Sequence, residues 1–113
     1  MTPERDLSAG PKGPVPIFAA LGDPTRLDLV ARLSRGGPQS IVRLTEGTRF
    51  TRQAITKHLR VLADAGVVRG SRRGRESRWE LTPRRLDVAH RYLDLISRRW
   101  DSALERLREH VEE

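Results

Sequence analysis

The sequence predicts a mainly α-helical domain that contains one small β-hairpin and ends in a long helix. Apolar residues recur three and four positions apart in several segments, each opened by a Ser, Thr or Asp cap, as amphipathic helices require. One stretch, residues 67–81, breaks this period and has two β-compatible ends around a Gly-containing centre. Residues 82–113 then carry a single unbroken apolar seam. A chain of 113 residues is long enough for one such domain.

The first third of the chain predicts an arm followed by two helices. Residues 1–16 contain four of the seven prolines and almost no large apolar side chain, which is typical of a flexible arm. A short helix is expected over 17–21. Asp23 is a suitable N-cap and Pro24 suits the first helical position, so a second helix is predicted over 24–35. Its inward residues are expected to be Leu27, Val30, Ala31 and Leu33.

A third, short helix is predicted over 41–46, because Ser40 can cap it and the preceding Gly-Gly-Pro stops the second helix. Ile41 and Leu44 are expected to face inward. The segment "GTRF" at 47–50 reads as a turn that separates this helix from the next one.

The fourth helix begins after Thr51 as N-cap and ends before Gly66. Spacings of four and three place its core face on Ile55, Leu59 and Leu62. A second face has hydrogen-bond donors or small hydroxyls and no acid; its residues are Arg52, Gln53, Thr56, Lys57 and Arg60. Solvated helix faces usually mix charges of both signs, so this face predicts an anionic partner. His58 lies at the inward boundary, where a packed, hydrogen-bonded role is expected.

The β-hairpin is predicted to pair 67–71 with 77–81, although Gly70 and Gly74 leave the register of its turn open. Four arginines surround the turn: Arg72, Arg73, Arg75 and Arg78. They make the tip of the hairpin strongly basic.

The last helix is predicted to start with Thr82 as cap and Pro83 in the first turn, and to run to about residue 111. Its apolar seam is longer than one small domain can cover, which predicts a homodimer. We expect this interface to include Ile17, Leu86, Ala89, Leu93, Ile96, Trp100, Leu104 and Leu107. The expected organisation is therefore an arm at 1–16, a domain at 17–81 and a dimerisation helix at 82–113.

The net charge of +7 is concentrated in the middle of the chain. Residues 41–80 hold ten Lys or Arg against four Asp or Glu, whereas 1–40 hold five against four and 81–113 hold seven against seven. Twenty of the 22 basic residues are Arg, whose planar fork suits phosphates and guanine edges. This distribution favours a nucleic acid as the partner.

Two helices joined by a short turn, the second with donors near its N-terminus, form a helix-turn-helix, and the basic hairpin after it is the wing of a winged helix. Such a helix enters the major groove of double-stranded DNA with its N-terminal end. Arg52 and Gln53 are expected to read bases, whereas Arg60 is expected to contact the backbone. Thr56 and Lys57 suit bases or phosphates, and the cap Thr51 is expected to belong to the same DNA-binding set. The wing arginines suit phosphates or the minor groove.

Other classes of function find little support. The sequence has no Cys, no G-x-S-x-G, no H-E-x-x-H and no phosphate loop, so we expect no enzyme and no cofactor. No apolar run approaches the roughly 18 residues of a membrane span, and the N-terminus lacks a signal-peptide pattern. A cytoplasmic protein is expected. The alternative function is a winged-helix protein-interaction module that binds DNA only weakly and without sequence preference.

Three separated segments, "FAALGDPTRLDLVARL", "TRQAITKHLRVLADAGVV" and "SRRGRESRWELTP", resemble the ArsR/SmtB-type winged helix-turn-helix regulators. More narrowly, "ALGDPTR" and "RQAITKHL" look like the branch that lacks metal-binding cysteines. The resemblance covers about residues 17–113. It implies a dimeric bacterial transcription regulator, usually a repressor of its own operon, with the helix after Thr51 as recognition helix and the 67–81 hairpin as wing.

The chain departs from the metal-sensing members of that family. The segment "SIVRLTEG" has no thiol or imidazole, and Ala89 stands where the usual ligand pattern has His two residues after an Asp. Asp87, His90 and His110 remain on the last helix, yet we expect no metal site. The inducer is then a small molecule, a protein or none. A two-fold dimer is expected to read half-sites roughly 34 Å apart in an imperfect inverted repeat.

Overall fold

The computed structural model describes residues 13–112, which form five helices and one two-stranded sheet. In chain order the elements are α1 Val15–Leu21, α2 Pro24–Gly36, α3 Ile41–Thr45, α4 Arg52–Asp64, β1 Val68–Arg73, β2 Glu76–Leu81 and α5 Pro83–Glu112. The predicted fold class is confirmed. Most of the predicted arm lies outside the described residues, and α1 begins earlier than expected because its first turn tolerates Pro16.

Three side-chain caps determine where the middle helices begin. Asp23, Ser40 and Thr51 each accept a hydrogen bond from the backbone N–H three residues later, at 3.0–3.2 Å. These bonds satisfy amide groups that have no partner inside the helix. All three predicted caps are therefore confirmed.

One hydrophobic core joins the helices to the base of the hairpin. Its largest fully buried side chains are Ile17, Leu29, Leu33, Leu44, Ile55, Leu59, Leu62 and Val67. The core face predicted for α4 is confirmed. For α2 the expectation was partly wrong, since Leu27 is 53% exposed and Leu29 is buried instead. Leu27 and Leu29 each lie at helical spacing from other apolar residues of α2, so spacing alone does not decide between them. Packing of α2 against α4 buries the side that carries Leu29 and Leu33.

The hairpin has a two-residue loop. Pairs run from Val68 opposite Leu81 to Arg73 opposite Glu76, which leaves Gly74 and Arg75 as the loop. A positive φ of 63° at Gly74 alone is the pattern of a type II′ turn, whose twist matches that of the strands. The segment before α3 adds an edge to this sheet, since Gln39 and Trp79 exchange two backbone hydrogen bonds of 3.0 and 2.8 Å.

The beginning of α5 belongs to the core. Val88 and Ala89 are buried, and α5 packs against α1, where the rings of Phe18 and Tyr92 lie 5.9 Å apart. Arg85 also reaches the end of α4, where its Nε donates to the Ala65 carbonyl at 3.3 Å. This contact supplies a cation to the C-terminal end of a helix, where the helix dipole favours one.

The remaining two-thirds of α5 project beyond the core. The helix has 30 residues, about 45 Å at 1.5 Å per residue. Its exposed large apolar side chains, here called the α5 stripe, are Leu93, Ile96, Trp100, Leu104, Leu107 and Val111. Trp100 is 65% exposed. Tyr92 and Leu95 add further exposed apolar surface beside the stripe.

Two residues expected at the dimer interface are instead core residues of the single chain. Ile17 is 0% exposed and Ala89 is 5% exposed, because α1 packs onto the first turns of α5. Leu86 is half-buried against the same core. The run of exposed large apolar residues on this side of α5 therefore starts at Leu93. No helix within residues 13–112 is long and apolar enough to cross a bilayer.

Candidate nucleic-acid interface

The turn between α3 and α4 is tightly hydrogen-bonded. The Thr48 hydroxyl donates to the Thr45 carbonyl at 2.7 Å and accepts from the Phe50 amide at 3.2 Å. Gly47 has a φ of 75°, which favours glycine in this reversal of direction. The turn thereby sets the angle between α3 and α4, the geometry that a helix-turn-helix requires.

The N-terminal half of α4 presents its polar side chains to solvent. Arg52, Gln53, Lys57 and Arg60 are exposed, Thr56 is half-buried and the cap Thr51 is exposed. In the described part of the chain, the charged groups of this face form no ion pair. The only acid in α4, Asp64, lies at the opposite end of the helix. The structure thus brings the predicted recognition residues together on one surface of uncompensated positive charge.

The rear of α4 is attached to α1 and α2 through one arginine. The Arg26 guanidinium reaches the Ala20 carbonyl through Nε at 2.5 Å and His58 Nδ1 at 3.2 Å. A guanidinium has only donors, so Nδ1 of His58 accepts this bond. The edge of the His58 ring faces Phe50, with centroids 6.4 Å apart. The packed role predicted for His58 is confirmed.

Asp23 completes this attachment. The backbone N–H of Arg26 donates a hydrogen bond to the Asp23 carboxylate, and this bond holds the pKa of Asp23 below its ordinary value. Partial burial opposes this shift, while the positive charge of Arg26 adds to it. His58 Nδ1 lies 3.9 Å from Asp23 Oδ2. We call Asp23, Arg26 and His58 the rear clamp of α4.

The wing separates its arginines into two groups. Arg78 pairs with Glu76 at 2.8 Å, and Arg69 pairs with Glu80 at 2.7 Å, on one face of the hairpin. Arg72, Arg73 and Arg75 are exposed and, among the described residues, form no ion pair. Three of the four predicted wing residues therefore carry free positive charge, and the fourth is half-buried and paired.

A family model of a helix-turn-helix domain matches residues 21–71 of this chain. The HTH-type transcriptional regulator YuzN of Bacillus subtilis is 43% identical over 65 residues, which cover 52% of this chain and 71% of YuzN. The HTH-type transcriptional repressor SmtB of Mycobacterium tuberculosis is 31% identical over 88 residues, 78% of this chain and 63% of that relative. The family model spans the α3–α4 unit.

Solved structures agree with this relationship. An ArsR-like transcriptional regulator from Rhodococcus is 34% identical and superposes with a TM-score of 0.70, covering 85% of this chain and 90% of its own. The chain belongs to the ArsR/SmtB-type winged helix-turn-helix regulators. A homodimeric winged helix-turn-helix DNA-binding domain from Mycobacterium bovis shares the fold at 23% identity, with a TM-score of 0.60 and coverage of 94% and 95%.

Its relatives are transcriptional regulators, so this ArsR/SmtB-type chain is a DNA-binding regulator. The family consists of regulators rather than enzymes. Among the described residues, no group of three His, Asp or Glu side chains lies close enough to hold a metal ion. Asp87 and His90 instead line a shallow groove beside Leu81 at the start of α5, and Asp87 pairs with Arg91 at 3.0 Å.

Sequence reasoning missed two features of this interface. One is the rear clamp, which joins residues 32 positions apart along the chain and leaves no local pattern. The other is a second contact of Ile41, which packs partly against the core as expected and also lines a surface groove together with Arg52, Gln53, Thr56, Lys57 and Arg60. A helix of five residues is too short for apolar spacing to define its buried face.

Proposed function

We propose that this protein is a homodimeric transcriptional repressor that binds an inverted-repeat operator in double-stranded DNA and does so without a metal ion. The observation that carries the proposal is the donor-rich, acid-free face at the N-terminal end of α4. This end of a helix also carries the positive pole of its dipole. Phosphates and the acceptor-rich edges of bases are the complementary partner.

Sequence-specific reading follows from the residue types on this face. Arg52 offers two parallel donors for guanine, and Gln53 offers a donor and an acceptor for adenine. Both lie in the first turn of α4, the part of a recognition helix that reaches base edges. Lys57, Arg60 and the free wing arginines supply contacts to phosphate, which determine position on the duplex rather than sequence.

The α5 stripe supports the homodimer. Its residues repeat three or four positions apart along one side of a helix, the pattern that packs against a second helix. Elsewhere on the helix surface, opposite charges pair between Asp87 and Arg91 and between Asp94 and Arg98. A second copy covers the stripe and places two copies of α4 about one DNA turn apart, roughly 34 Å.

Repression and independence of metal rest on different grounds. The M. tuberculosis relative is named a repressor, and occupation of an operator by two winged helices blocks access to the same DNA. The 113-residue sequence has no Cys, so it offers no thiolate ligands. The three histidines lie on α4 and at distant positions of α5.

The test is fluorescence anisotropy with the DNA upstream of the protein's own gene. A scrambled duplex of the same composition is the control, and both are titrated across a salt series, with zinc and with a chelator. We expect tight binding to the upstream DNA alone, with equal affinity in zinc and chelator. Each phosphate contact adds about 0.9 to the slope of log affinity against log salt.

Other results would contradict specific parts of the proposal. Affinity that changes strongly with zinc contradicts metal independence. Weak binding of both duplexes, with little dependence on salt, favours the protein-interaction module instead. Stoichiometry of one chain per operator, measured by light scattering of the complex, contradicts the dimeric reading of an inverted repeat.

A further inference from the structure

The polar face of α4 borders a mostly apolar groove that is also lined by a residue of another helix. Ile41, at the start of α3, lines this groove of about 360 Å³ together with Arg52, Gln53, Thr56, Lys57 and Arg60. Among these six described residues, Ile41 is the one aliphatic side chain. An aliphatic side chain therefore shares one groove with the basic residues of α4.

Ile41 is not simply a core residue of α3. Leu44, three positions later, is 0% exposed and anchors the helix. Ile41 packs against the core, is half-buried rather than fully buried, and also lines the groove. Its outer surface is left for a partner that reaches the recognition face.

The chemistry of the major groove identifies that partner. The donors of α4 suit oxygen and nitrogen acceptors on bases and phosphates, which carry negative or partial negative charge. The 5-methyl group of thymine is the apolar substituent that a base presents in the major groove. An aliphatic side chain between Arg and Gln side chains is suited to that methyl group.

We propose that Ile41 is a specificity-determining residue that contacts the 5-methyl group of a thymine, next to the bases read from the first turn of α4. This inference rests on the proposed function, because it needs DNA in contact with the α4 face. It adds a base-reading residue from α3, outside the recognition helix. It also predicts that the preferred operator contains a thymine whose methyl group contributes to affinity.

The experiment compares thymine with uracil, which differs only by the absence of the 5-methyl group. Sequences preferred by the full-length protein are first selected from a randomised duplex library. Each thymine of the selected half-site is then replaced in turn by uracil, and affinity is measured by anisotropy. We expect one replacement to weaken binding about fourfold, because uracil lacks the methyl group whose burial against Ile41 contributes to affinity.

The variants separate base reading from folding. With Ile41→Ala we expect equal affinity for the thymine and uracil duplexes, because the residue that distinguishes them is gone. The matched control is Val42→Ala, which removes the same kind of side chain from the adjacent, exposed position outside the groove. It should keep the parent's ratio. If Ile41→Ala fails to fold, Ile41→Val should fold and lower the ratio.

The outcomes distinguish this inference from the proposed function. Selection of a defined sequence by the parent, with no uracil replacement changing affinity, overturns the role of Ile41 and leaves the regulator intact. A fourfold ratio that Ile41→Ala or Ile41→Val does not alter also overturns it. Failure to select any sequence overturns both the proposed function and this inference.

Discussion

Within residues 13–112, the outer face of α4 and the α5 stripe are both left uncovered, and they differ in the chemistry that they expose. The α4 face presents Arg52, Lys57 and Arg60 without an acid, so its complement is an anion. The α5 stripe presents Leu93, Trp100 and Leu107, beside helix positions where acids and bases pair with each other. Its complement is an apolar surface of the same length, which a second copy would supply in the homodimer that we propose.

The comparison shows that the two surfaces depend on different forces. Burial of the α5 stripe is driven by the hydrophobic effect, at about 25 cal/mol per Å² of apolar surface, and is insensitive to moderate salt. DNA binding at α4, as we propose it, would release counterions from DNA and would weaken steeply with salt. Salt therefore separates the two in solution: we expect the dimer to persist at salt concentrations that dissociate the DNA.

The largest effect should come from a charge in the α5 stripe. Trp100→Glu places a carboxylate in the middle of the seam, so we expect monomers by light scattering and a loss of operator affinity on the order of 10²- to 10⁴-fold, because the two half-sites are no longer linked. Ser102→Glu adds the same charge outside the stripe and is the control. A Trp100→Glu variant that remains dimeric would locate the interface elsewhere.

The second effect concerns the α4 face. Arg52→Ala and Gln53→Ala should each weaken operator binding by about 1–3 kcal/mol and relax the preference at particular base pairs. The dimer should be unaffected. Asp64→Asn, at the other end of α4, serves as the control. Unchanged affinity and unchanged preference in both variants would show that α4 is not the recognition helix.

A smaller effect is expected from the wing. Arg73→Ala or Arg75→Ala should weaken binding to all sequences alike and reduce the salt slope by about one. Arg78→Ala should change the slope less, because Arg78 is paired with Glu76 in the free protein. Equal slopes for the three variants would show that the ion pair opens at no net cost on DNA.

The smallest effect tests the rear clamp through its acid dependence. The pKa of Asp23 in the folded chain lies below its ordinary value of 3.8, so its stabilising contribution is present above that value and is lost as pH falls through the lowered pKa. Asp23→Asn keeps an N-cap and removes the titration. The free energy of unfolding, measured in urea between about pH 5 and about pH 2, should depend less on pH in the variant than in the parent. Parallel curves would contradict a role for the Asp23 charge.

The sequence by itself determined the elements and the distribution of charge. Helix starts at Asp23, Ser40 and Thr51 and the stop at Gly66 depend on contacts within a few residues, which the order of residues records directly. The positive charge of the α4 face and the length of the α5 stripe follow from residue types at helical spacing. These local and additive properties are readable without a fold.

Tertiary structure decided which side chains each surface exposes. A helix has several adjacent stripes with similar spacing, and only packing against distant elements chose Leu29 over Leu27, buried Ile17 and Ala89 in the single chain and left Ile41 open to the α4 groove. The wing register and the Arg26–His58 bond likewise join residues far apart in the chain. Contacts of this kind depend on the relative placement of whole elements, and no local pattern encodes that placement.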